Sequence, residues 1–188
     1  MNKNTLFYAG QTNAAPNLET IDQIHANWSA DYDKLEANHN YIQWLFPISG
    51  SSGVNPRAQA LQKAEAQAIM SNPASRARFM KSYKMMLGFY GMRLVDESTG
   101  KVQRAANWSS RYSNLTARTH NNLRITRIIQ CMGEMPGMAY LQVPFLEHLI
   151  HEIVQTKALR SLLSSCKNYW LMSIADPVAI QRLYQLMP

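Results

Sequence analysis

Three times in this chain an Asn or Asp stands immediately before a proline: Asn55–Pro56, Asn72–Pro73 and Asp176–Pro177. Each pair reads as a helix start. The side-chain oxygen accepts the free amides of the first turn, and proline at the first helical position loses no hydrogen bond. Gly91 and Gly133 follow apolar runs, where glycine suits a helix C-cap. Between these marks the apolar residues recur at helical spacing. The punctuation predicts helices over 18–28, 31–45, 57–70, 73–90, 108–115, 119–132, 144–155, 158–173 and 177–186. The expected fold is all-α, a compact multi-helix orthogonal bundle. One short hairpin or ordered loop is expected near 93–104, where β-branched residues flank Thr99–Gly100.

At 188 residues the chain suits a single domain, 1–188, with 1–17 and 174–188 peripheral. The central helix is expected at 73–90, with Phe79, Met80, Tyr83, Met86, Leu87 and Tyr90 as its stripe. The segment Phe46 to Pro56 reads as a flexible connection. Cys131 and Cys166 lie among apolar neighbours and read as reduced core thiols. No run of apolar residues reaches the length of a membrane span, and the N-terminus is too polar for a signal peptide. The protein is expected to be intracellular, cytoplasmic or nuclear.

Charge is distributed unevenly. Residues 1–60 carry Lys3, Lys34 and Arg57 against Glu19, Asp22, Asp31, Asp33 and Glu36. Residues 98–133 carry Lys101, Arg104, Arg111, Arg118, Arg124 and Arg127 with no acid. Lys101, Arg104, Arg111 and Arg118 therefore form a candidate basic patch for an anionic partner, nucleic acid included. Arg124 and Arg127 project from one side of a helix, with Asn121 three residues before Arg124. Two readings stand. The arginines pair with the acids of residues 19–36, or they receive a phosphate or carboxylate. The basic set "RARFMKSYK", 76–84, reads as the wet face of an amphipathic helix.

The aromatic segment "HNYIQWLFP", His39 to Pro47, either lines a pocket or belongs to the core. "EHLIHE" sets Glu147 and His148 four residues before His151 and Glu152. It lacks the HExxH order of a zinc peptidase and reads as a surface helix, so no metal is expected. Nor is there a CxxC pair, a GxSxG elbow or a GxxxxGK[ST] loop. Catalysis is disfavoured, and no cofactor is expected.

Three stretches carry a family likeness: "IDQIHANWSADYDKLEANHNYIQWLFP", "RARFMKSYKMMLGFYGMRLVDESTGKVQRAANWSSRYSNL" and "HNNLRITRIIQCMGEM". In this order they resemble the conserved N-terminal region of the opioid growth factor receptor family. Gly88 stands where that family more usually has an acidic or polar residue. The resemblance implies a helical, non-enzymatic domain of receptors for the enkephalin pentapeptide ending in methionine, which restrain cell proliferation. It also implies association with the nucleus and its envelope. A short peptide or protein partner is then expected, with nucleic acid as the alternative. The candidate ligand-binding residues are His39, Tyr41, Trp44, Arg93, Asn121, Arg124 and Arg127.

Overall fold

The computed structural model describes residues 2–16, 18–50 and 55–188. The chain is predominantly helical with one two-stranded hairpin, and it forms two compact units. Residues 51–54, the middle of the expected connection, lie outside the described residues.

The first unit comprises residues 1–89 and 134–136. Its helices are α1 (Lys3–Tyr8), α2 (Ile21–Trp28), α3 (Tyr32–Ala37), α4 (Ile42–Leu45), α5 (Lys63–Ser71) and α6 (Pro73–Phe89). The α6 stripe is central to this unit. Phe79, Tyr83, Met86 and Leu87 are buried, and the helix packs against α1, α2 and α5. Its start follows the sequence signal, with Asn72 Oδ1 accepting from Ser75 N at 3.0 Å. Its wet face is also as read, with Arg76, Lys81 and Lys84 exposed.

Other boundaries differ from those expected, each for an identifiable reason. Helix 18–28 begins only at Ile21, because Thr20 and Gln23 form a reciprocal capping box. The expected helix 31–45 breaks after Ala37. There Asn38 Oδ1 accepts from Asn40 N at 2.8 Å, a side-chain turn that competes with the helix before α4 restarts the spiral. Asn55–Pro56 does not start a helix either. Asn55 Oδ1 accepts from Arg57 N, but the Asn55 amide donates to Ala15 O at 2.9 Å and Asn40 O at 3.1 Å. That side chain ties loops together, and α5 starts later, at its own Gln62–Glu65 capping box. The segment read as peripheral holds an unforeseen helix, α1. Phe7 and Tyr8 are fully buried, and Asn4 bonds the buried carboxylate of Glu65.

The second unit comprises residues 90–133 and 137–188. Gly91 ends the preceding helix at φ +80, where a Cβ would lie 2.8 Å from Trp108 Cα. The hairpin pairs β1 (Met92–Asp96) with β2 (Lys101–Arg104), antiparallel, with Arg93 opposite Gln103. Then come α7 (Trp108–Ala117), α8 (His120–Glu134) and α9 (Gln142–Val154). Gly133 is not a C-cap. It lies within α8, and a Cβ there would meet Gln142 Nε2 at 2.7 Å. That amide is a buried clasp: Gln142 Nε2 donates to Ile129 O and Ser173 O, and Oε1 accepts from Ala175 N.

The expected helix 158–173 is a composite. A 3₁₀ turn, the three-residue α10 (Leu163–Ser165), a π turn over Cys166–Trp170 and a second 3₁₀ turn succeed one another. The π turn seats Trp170 in the core, where its indole donates to Asn122 O at 3.0 Å. Cys131 and Cys166 are both free and buried, and burial pushes the Cys166 thiol up to about 12. α11 (Pro177–Tyr184) starts at Asp176, whose side chain accepts from Val178 N. Leu183 of α11 is fully buried, whereas Val178 and Tyr184 are exposed. Among the described residues no helix is long and apolar enough to cross a membrane.

Candidate functional site

The aromatic candidates belong to the first unit. Tyr41 and Trp44 are core residues, 0 % and 2 % exposed. The Trp44 indole donates to Ala15 O at 2.8 Å, and its ring lies 5.4 Å from that of Phe7. Tyr41 packs edge-on to Trp28 and donates to Met86 Sδ. Of these three only His39 is exposed. Two acids of this unit have cationic partners within it. Asp22 takes Arg78 through two bonds of 2.9 and 2.7 Å, which hold its carboxyl below the usual range. Glu19 accepts from Asn27, Trp28 and Lys34.

The arginine candidates belong to the second unit. Arg124 is buried and donates through Nη1 to Asn121 Oδ1 at 3.1 Å, so the two form a pair within α8. Arg127 is half-buried on the same helix. Arg93 lies on the outer face of the hairpin and donates to Gln103 Oε1 at 3.3 Å. Of the basic patch, Lys101 and Arg118 are exposed and Arg111 is half-buried. Arg104 is not free to meet an anion. Its guanidinium grips Glu152 through Nε–Oε1 at 2.8 Å and Nη2–Oε2 at 2.5 Å. Its Cζ stands 3.8 Å from the centroid of the Trp108 ring.

Glu152 is the residue that sequence reasoning missed. "EHLIHE" was expected on a surface helix, but Glu152 is 2 % exposed. Phe145, Leu149 and Glu152 recur at helical spacing, so the carboxylate lies on the buried stripe of α9. Burial alone would raise its pKa. Bonds from Arg104 and Thr156, with the charge of Arg104, outweigh that and hold it below the ordinary value. His148 lies beside this pair, its Nε2 3.1 Å from the Tyr112 hydroxyl. Burial lowers the His148 pKa although Glu152 opposes it, so the ring is neutral near pH 7. Burial, reinforced by the Glu152 charge, pushes the Tyr112 hydroxyl up, so it keeps its proton beside that ring.

Two cavities lie beside this cluster, between β2 and α9. A groove of 510 Å³ is lined by Lys101 and Val102 on the strand side, and by Pro144, Glu147 and His151 on the helix side. A second cavity of 430 Å³ lies by Gln103, Arg104, Glu152 and Thr156, and shares His148 and His151 with the first. The two adjoin at these histidines and together follow β2, and we call the pair the channel. Its charges are largely assigned. Glu152 holds Arg104, and Glu147 accepts from Arg182 at 3.0 Å. Lys101 is exposed, and its ammonium has no hydrogen-bond or ion-pair partner among the described residues. Such a channel offers a cation at one end, an apolar wall and two imidazoles. That suits a small ligand with a carboxylate. Among the described residues no three His, Cys, Asp or Glu side chains group as metal ligands.

The profile of the family described as "Opioid growth factor receptor (OGFr) conserved region" matches residues 1–187. The chain is 41 % identical over 171 residues to the opioid growth factor receptor of Rattus norvegicus, covering 91 % of this chain and 29 % of that protein. It is 40 % identical to the Homo sapiens receptor over the same length, 25 % of that protein. With opioid growth factor receptor-like protein 1 of Mus musculus it shares 36 % identity over 173 residues, 92 % of this chain and 37 % of the relative. The chain thus spans well under half the length of these relatives. No solved structure matches it significantly. With a profile that matches nearly every residue, the chain belongs to the opioid growth factor receptor conserved-region family.

Proposed function

We propose that this chain is a recognition domain for a short peptide of the enkephalin type, bound in the channel between β2 and α9. As a family member it is a non-enzymatic, receptor-like domain. The observation that carries the peptide reading is Lys101, an exposed cation without a protein partner at the end of a half-apolar groove. An ammonium there receives a peptide carboxylate, while Val102 and Pro144 supply apolar contact for a side chain. A groove of 510 Å³ lies in the range of small-ligand sites. The relatives' name attaches an opioid growth factor to them, and a growth-regulating role for this chain follows from the same reading.

Nucleic-acid binding through residues 101–127 is the weaker reading. Arg104 is held by Glu152 and Arg124 is buried, which leaves fewer cations for phosphates. The test is a calorimetric titration with Tyr-Gly-Gly-Phe-Met, beside the tetrapeptide lacking its tyrosine. Saturable heat that depends on the tyrosine supports the reading. Absence of heat with both peptides, alongside salt-dependent binding of an oligonucleotide, replaces it with the nucleic-acid one.

A further inference from the structure

β2 has a strand partner on one side only. Ala105 N donates to Gly91 O at 2.9 Å, and this bond fixes the parity of the ladder. In an antiparallel pair, opposed residues alternate between exchanging both main-chain bonds and exchanging none. Gly91 faces Ala105 and Arg93 faces Gln103 as bonded pairs, so Met92–Arg104 and Leu94–Val102 are the unbonded ones. The N–H and C=O groups of Val102 and Arg104 therefore point away from β1. Among the described residues they make no main-chain hydrogen bond to any other element.

The channel described above runs along this edge. Strand alternation turns Val102 and Arg104 inward and Lys101 and Gln103 outward. A channel lined by both sets lies beside the strand rather than across one of its faces. We infer that an extended peptide binds here as a third strand, its main chain paired with Val102 and Arg104, one flank against α9 and a carboxylate at Lys101. The inference rests on the peptide reading of the channel and adds the mode of binding.

Only another extended main chain presents donors and acceptors at the spacing of a strand edge, about 7 Å between like-facing residues. Four strand residues match a peptide of four or five residues, at roughly 3.3 Å each. Charge is complementary too. Lys101 has no protein partner, whereas Glu147 and Glu152 are already engaged by Arg182 and Arg104. An unpaired edge also carries a risk of self-association, which a lysine on the strand blunts.

The test follows amide hydrogen exchange of the whole chain, with Tyr-Gly-Gly-Phe-Met and, separately, with the unrelated strand-forming peptide Thr-Val-Thr-Val-Glu. Each is also made singly N-methylated at every position. Expected are at least tenfold slower exchange at Val102 and Arg104, and loss of binding when alternate peptide nitrogens are methylated. If the enkephalin binds without that protection and without the alternation, the strand mode is overturned while the peptide reading stands. If only the second peptide binds, with protection at Val102 and Arg104, the strand mode stands and the enkephalin assignment falls. Binding of neither peptide overturns the inference. All arms use the wild-type protein, so no outcome depends on whether a variant folds.

Discussion

Arg104 reaches from the hairpin to Glu152 on α9 and bonds both carboxylate oxygens, with the guanidinium stacked on Trp108. The two partners are not equivalent. The Glu152 side chain is 2 % exposed and that of Arg104 32 %. Removing the arginine strands a buried carboxylate, whereas removing the acid leaves a cation with a route to water. Arg104→Met is therefore expected to cost about 3 kcal/mol, and Glu152→Gln less. The double variant should recover part of the loss. Urea denaturation of the three variants checks this, and equal effects of the two single changes would contradict the assignment.

A histidine in the first unit gives stability a pH dependence. Burial, reinforced by the charges of Lys81 and Arg78 and opposed by Asp22, lowers His25 to about 4. Its Nε2 lies 2.8 Å from Ser82 Oγ. The unfolded ring binds a proton near the ordinary histidine value of 6.5, so between 6.5 and about 4 the unfolded state holds the extra proton. Stability from His25 is thus complete above 6.5 and falls as pH drops towards 4, by roughly 3 kcal/mol in all. His148, also lowered, adds a loss in the same direction. His25→Asn should flatten the slope over this range, though not to zero. An NMR titration placing the folded His25 pKa at or above 6.5 would refute the account.

Trp44 belongs to the core, and Trp44→Ala should lower stability by about 3–5 kcal/mol. The change removes a buried ring and one of the two side-chain donors to Ala15 O, the other being the Asn55 amide. An unchanged denaturation midpoint would show the ring to be dispensable.

Gly91 at φ +80 should tolerate no side chain, since a Cβ there would meet Trp108 Cα at 2.8 Å and Arg111 Cβ at 2.9 Å. Gly91→Ala is expected to cost about 2–4 kcal/mol by combining backbone strain with a clash. Thermal melting is the check. Gly137→Ala is a useful control, because φ is +75 there but nothing lies within 4 Å of its Cβ position.

Periodicity and caps make the helical class, the hairpin and the α6 stripe legible in the sequence itself. Asn72 and Asp176 acted as read. Asn55 carries the same dipeptide signal but donates to two distant carbonyls, and a local pattern contains no such partners. The break at Asn38 and the π turn at Cys166–Trp170 likewise depend on local competition and on where Trp170 is seated. For the site, the acid-free run 98–133 pointed to a basic surface, but charge counting cannot see that Arg104 finds its acid 48 residues later. The spacing of Phe145, Leu149 and Glu152 was the missed signal. A carboxylate on an apolar stripe requires a cation to face it.

The channel beside Lys101 is proposed to receive a peptide carboxylate. The most direct measurement is the Kd of Tyr-Gly-Gly-Phe-Met and of its C-terminal amide, for the wild-type chain and for Lys101→Glu. Binding at least tenfold weaker is expected whenever either charge is changed, with little further loss when both are. The same Kd for all four combinations would contradict it.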